Sequence, residues 1–153
     1  MREAGWAIAL AIATTCLSTF ACSSIQPEVG DRLEACVDAD SDATKSVDFK
    51  TQIRPIIEAR CANCHYYGRG TEEGYREVGF DQGSLGTLRK GGRNTATNII
   101  VPGKPCSSAY VQKIRGTFAT GARMPKNATP LSREELQLIM DWIAEGAAGN
   151  DAD

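Results

Sequence analysis

One histidine, few aromatic residues and no long apolar run after the first 21 residues are the shortages that narrow what this chain can be. With His65 alone, any metal centre built from several histidines is excluded. Four Phe, four Tyr and two Trp make a thin aromatic core for 153 residues, so the domain would gain from a large apolar group in its interior. No stretch beyond the N-terminal segment approaches the roughly 20 apolar residues that a membrane span needs. Net charge is short too, at -2 by formal count, and no nucleic-acid partner is expected.

What is present begins with an export signal. Arg2 precedes an apolar run from Gly5 through Ala13, and small residues follow to Ala21, the three-part layout of a secretory signal over residues 1–21. The mature protein is then expected to have no transmembrane span. Ser18-Thr19-Phe20-Ala21-Cys22 resembles the lipobox of bacterial lipoproteins, with Thr19 where Leu is preferred. Cleavage after Ala21 leaves Cys22 either as a lipid anchor, tethering the protein to a membrane of the periplasm or outer envelope, or as an unmodified residue. An oxidising compartment also bears on the other cysteines. Cys36 and Cys106 can pair there as a disulfide or remain two free thiols.

From residue 22 to 47 the chain is polar and acidic, carrying Glu28, Asp31, Glu34, Asp38, Asp40 and Asp42 against Arg32 and Lys45, and it reads as a flexible tether. Folding signals start at Asp48. Phe49, Ile53, Ile56, Ile57 and Cys61 recur at helical spacing, with the regular helix beginning near Arg54 or kinked at Pro55. Glycines punctuate the stretch from Tyr66 to Lys126, which reads as loops with short helices at residues 84–90 and 107–115. A last helix starts at Arg133, signalled by the capping box Ser132/Glu135 and the staple Leu131/Leu136. Gly146 is expected to stop it in a left-handed conformation. Residues 48–149 therefore form one small all-α domain, with residues 150–153 as a frayed tail.

Cys61-Ala62-Asn63-Cys64-His65 carries the chemistry. Two thiols at this spacing can add to the two vinyl groups of one haem, and the adjoining histidine is then held beneath the iron. Cys-x-x-Cys also serves disulfide oxidoreductases and half-sites for zinc. The first would want a strand before the motif in a βαβ setting, and the second would want more Cys or His at suitable spacing. Neither pattern is present, and only the haem reading gives the sole histidine a task. For the other face of the iron the chain offers Met124, in a loop before Pro125, and Met140, on the apolar stripe of the last helix where methionine is ordinarily core.

Residues 48 to 146, about two-thirds of the chain, resemble a class I cytochrome c domain of the planctomycete type. The resemblance is carried by Phe49-x-x-x-Ile53-Arg54-Pro55-Ile56-Ile57 before the motif, by Val101-Pro102-Gly103-Lys104-Pro105-x-Ser107, by Arg123-Met124-Pro125, and by Leu131-Ser132-x-Glu134-Glu135 leading to Trp142-Ile143 and Gly146-Ala147. It implies a small cytochrome c fold with N- and C-terminal helices packed beside one covalent haem c and long loops between, with Cys61 and Cys64 as attachment points and His65 and Met124 as the axial pair. Tyr66–Gly79 reads as an insertion, and Cys106 stands where an acidic or small residue is usual.

With both axial positions filled, the remaining chemistry is gain or loss of one electron, so the expected role is an electron carrier of the bacterial cell envelope rather than an enzyme. The competing readings are a haem-containing redox sensor or assembly subunit of an envelope complex, and a small peroxidase-like haem protein. Residues 76–126 hold nine basic and two acidic side chains. From these, Arg93 and Arg123 are candidate partners for the haem propionates, and the segment as a whole suits redox partner proteins with an acidic docking surface.

Overall fold

In the computed structural model, residues 35–95 and 98–153 are described, and they contain helices and turns with no strand. The signal segment and Cys22 lie outside the described residues.

Asp48 starts the fold by accepting from the Thr51 backbone N–H at 2.8 Å and from its hydroxyl at 2.6 Å. A single π-helical turn, Phe49–Ile53, follows and runs into α1 (Arg54–Arg60). Pro55 sits at the junction of the π turn and α1, where it has no N–H to donate back into the preceding turn. Phe49, Ile53 and Ile57, spaced by four, are all buried. Their main partner is α6 (Arg133–Ala144), whose Ile139, Trp142 and Ile143 are fully buried, with the Phe49 and Trp142 rings 5.3 Å apart. Each such side chain contributes about 1.5–3 kcal/mol by leaving water. Between these two helices come α2 (Ala62–His65), α3 (Glu73–Val78), α4 (Leu85–Lys90) and α5 (Ala109–Arg115), with a 3-10 turn at Pro105–Ser107. Leu85 and Leu88 of α4 and Val111 and Ile114 of α5 join the same core, with Phe80, Ile99, Ile100 and Tyr110 among its other members.

Local signals set most helix starts. Ser132 accepts from the Glu135 N–H at 3.1 Å while the Glu135 carboxylate accepts from the Ser132 N–H at 2.8 Å, closing the capping box of α6. Ser84 and Thr87 do the same for α4. Ser108 precedes α5, but its hydroxyl accepts from the Val101 N–H and donates to the Lys104 carbonyl, so it ties down the preceding loop instead of capping the helix.

Two expectations are corrected. Residues 35–47, read as part of a flexible tether, lie along the domain as a strap. Cys36 and Cys106 are joined by a disulfide with Cα atoms 5.6 Å apart, Asp38 accepts from the Cys106 N–H, and Lys45 pairs with Asp141 at 2.8 Å. Composition misjudged this strap because its acids bind through backbone and side chain to partners distant in sequence. The tail at 150–153 is not frayed: the Asp153 and Asp151 carbonyls accept from the N–H groups of Leu85 and Gly86, the first turn of α4, and Arg89 pairs with Asp151. Those N–H groups have no partner within their own helix. At the end of α6 the expectation holds: Gly146 has a positive φ of +102°, and Ala147 follows at +55°.

Candidate functional site

Cys61 is the joint between α1 and α2. Its N–H still donates to Ile57, while its carbonyl accepts from Cys64 and His65 and so begins a new turn. This one turn puts Cys61, Cys64 and His65 three and four residues apart on neighbouring positions. Both cysteines are free thiols. Burial pushes the Cys61 thiol up to about 11, with Tyr110 and Arg60 opposing the shift. At neutral pH Cys61 is thus a protonated thiol, the opposite of the stabilised thiolate that disulfide exchange uses. No strand precedes the motif among the described residues, and no group of three or more His, Cys, Asp or Glu side chains there could hold a metal ion. The oxidoreductase and zinc readings find no support in this arrangement.

His65 is buried, at 8% exposure, and its Nδ1 lies 3.2 Å from the Phe80 carbonyl oxygen. A carbonyl only accepts, so Nδ1 carries the proton and Nε2 presents a lone pair. Burial lowers the imidazole's pKa from its ordinary value, against the opposing effects of the Phe80 carbonyl and Glu77, which keeps the ring neutral at neutral pH. The Gln82 N–H donates to the His65 carbonyl at 2.7 Å, and the Gln82 side chain accepts from the Tyr110 hydroxyl at 2.9 Å. Phe80–Gln82 therefore braces the histidine by both ring and backbone.

The segment after the motif wraps back over it. Thr71 and Glu72 donate their N–H groups to the Asn63 carbonyl at 2.7 and 3.2 Å, and the Thr71 hydroxyl lies 3.6 Å from Cys64 Sγ. Gly70 and Gly74 fit where no side chain would: a Cβ on Gly70 would come within 2.4 Å of the Asn63 carbonyl oxygen, and one on Gly74 within 2.4 Å of His65 Cε1. On the other side, Arg60 holds Glu135 through two parallel bonds of 2.9 and 3.0 Å, joining the residue before Cys61 to the capping box of α6.

The two methionines separate clearly. Met140 is buried in the core of α6, whereas Met124 is half-buried in the loop after α5. Lys113 organises that loop, accepting the Met124 N–H at its carbonyl (2.9 Å) and donating from Nζ to the Thr120 carbonyl (2.5 Å). Met124 and Pro125 are joined by a cis peptide bond. A shallow groove of about 650 Å³ runs along the loop, lined by Arg123, Pro125, Asn127 and their neighbours. Lys126 reaches Glu73 at 3.3 Å, so the Met124 loop is fastened to the same α3 that covers His65. Arg93 donates to the Arg76 and Glu77 carbonyls at the last turn of α3, and the stem of Arg123 packs at Gly116. Acids flanking the basic middle fold back onto it: Glu72 pairs with Arg76, Glu73 with Lys126 and Asp151 with Arg89.

Sequence reading missed the Phe80 carbonyl, Gln82, Tyr110, Gly74 and the Arg60–Glu135 pair. A backbone acceptor leaves no trace in residue identity, and the glycines of this segment point to a loop and not to a close approach at His65. Compared with known proteins, the chain matches no family model, no curated protein and no solved structure.

Proposed function

We propose that this chain is a single-haem c-type cytochrome, carrying one electron at a time between partner proteins of the bacterial cell envelope. The observation that carries the reading is the placement of His65: a buried imidazole whose Nδ1 lies 3.2 Å from the Phe80 carbonyl oxygen, immediately beside two free thiols on one helical turn. That donor set fits haem c. Cys61 and Cys64 would hold the group through thioethers, His65 Nε2 would be one axial ligand and Met124 Sδ the other. Haem, when bound, supplies one-electron iron chemistry.

The chain's own residues then have distinct tasks. Phe80 fixes the tautomer and direction of His65, as partners of ligating histidines do. Arg60 and Glu135 anchor the motif to α6. Lys113 shapes the loop that presents Met124, whose soft thioether favours the reduced ion. Arg93 and Arg123 remain the proposed propionate partners, and residual positive charge around 76–126 suits an acidic redox partner. Cys22 is the proposed lipid anchor.

The ligand pair is tested by substitution. Oxidised wild-type protein should show the weak red-end sulfur-to-iron charge-transfer band, Met124→Ala should abolish it and lower the reduction potential, and Met140→Ala should keep it. The reverse pattern would transfer the ligand role to Met140.

A further inference from the structure

We propose that Gly74 is a positioning residue for His65, laying α3 flat against one face of the imidazole and fixing the ring's rotation about its bond to Cβ. The inference rests on the haem reading, since ring rotation matters to function only when Nε2 is a ligand.

The contact has a definite direction. A Cβ built on Gly74 lies 2.4 Å from His65 Cε1 and at nearly equal distances, 2.7 and 2.8 Å, from Nε2 and Nδ1. A point in the ring plane beyond Cε1 would be much farther from both nitrogens. The position is therefore above the ring face over Cε1, and it leaves the in-plane direction of Nε2 clear of Gly74. The Phe80 carbonyl acts within the ring plane at Nδ1, while Gly74 acts perpendicular to it. Together they define both the direction and the rotation of the imidazole.

Backbone conformation gives no competing reason for glycine here. Gly74 lies inside α3 and is not among the positive-φ glycines, so any residue could adopt its conformation. Space at the ring is the feature that demands glycine.

Several bonds independent of His65 keep α3 in place. Asn63 accepts from Thr71 and Glu72, Glu72 accepts from the Gly68 N–H at 2.6 Å, the Arg93 N–H donates to Val78 at 2.8 Å, and Lys126 holds Glu73. An alanine at 74 would have to turn the ring or lift this braced segment.

Rotation of an iron-bound imidazole changes how its π orbitals overlap the iron d orbitals, and hence how unpaired spin spreads over the haem of the ferric protein. The test is proton NMR on the holoprotein. Wild-type ferrous protein should show a nuclear Overhauser contact between the Gly74 α-protons and His65 Hε1. Ferric Gly74→Ala, with haem still attached, should show a changed order or spread of haem methyl resonances. Absence of the wild-type contact, or a Gly74→Ala methyl pattern equal to wild type, would overturn the proposal. If the variant fails to mature, the wild-type contact alone decides. A pyridine haemochrome spectrum of the same wild-type sample separates failure of this inference from failure of the haem reading: absence of covalent haem sinks the reading itself, while haem present without the Gly74 contact sinks only the inference.

Discussion

The last helix and the segment from Tyr66 to Gln82 are held by opposite means. α6 is fixed by features close in sequence: a capping box and a buried face containing Ile139, Trp142 and Ile143. The segment over the motif is held largely by backbone groups and by glycines that let chain approach chain, at Asn63 with Gly70, at His65 with Gly74 and at Phe80 with His65. The first kind of order makes a scaffold that tolerates change at its surface. The second makes a site whose geometry depends on a few close approaches, with little apolar burial beneath α3, none of whose residues is buried.

The scaffold side breaks most severely at Trp142. Its ring is fully buried against Phe49, and its indole N–H donates to the Ala148 carbonyl at 2.8 Å. Trp142→Ala should lower unfolding free energy by about 3–5 kcal/mol, read in a denaturant titration. A loss under 1 kcal/mol would mean that α6 is not the centre of the core.

The disulfide comes next in size. It closes a separation of 70 residues between the strap and the turn before α5, which chain entropy values at about 4 kcal/mol and experience with such bonds at about 2–4 kcal/mol. Cys36→Ser with Cys106→Ser should reduce stability by that amount and raise amide exchange in residues 35–47, while the spectrum of the proposed haem site stays as it was. A spectral change would join strap and site into one unit.

Asp141 gives a smaller, pH-dependent effect. It is buried on α6 and accepts from Lys45, from the Asp42 N–H at 2.8 Å and from Gln137 at 2.7 Å. Burial alone would raise its carboxyl, but these partners outweigh burial and hold it below the usual carboxylate value. A depressed folded pKa contributes stability above the unfolded value, near 3.9, and loses it as pH falls through the folded one. The strap's contribution should therefore be constant at neutral pH and fade below about pH 4. Asp141→Asn should cost about 1–3 kcal/mol at pH 7 and flatten that acid dependence. An unchanged acid limb would assign it to other carboxylates.

The same contrast explains what was legible beforehand. Capping residues, Pro55 at a helix start and the apolar spacing of Phe49, Ile53 and Ile57 are one-dimensional signals, so the first and last helices could be read directly. The motif's five residues could be read too. α3 escaped notice because its glycines suggested a loop and its bonds run to Asn63, Arg93 and Lys126. The strap and tail were misjudged for a related reason: Asp141 and the first N–H groups of α4 recruit acidic, polar segments by hydrogen bonding, and composition records polarity without recording where it is satisfied.

Covalent attachment is tested on the mature protein purified from a host that assembles c-type cytochromes: the protein is denatured and extracted with acidified acetone, and the polypeptide is examined by pyridine haemochrome spectrum and intact mass. One haem should be retained by the denatured chain, and it should be lost when Cys61 and Cys64 are both replaced by Ala. Full extraction of haem from the wild-type chain, or a mass equal to the bare polypeptide, would contradict covalent attachment.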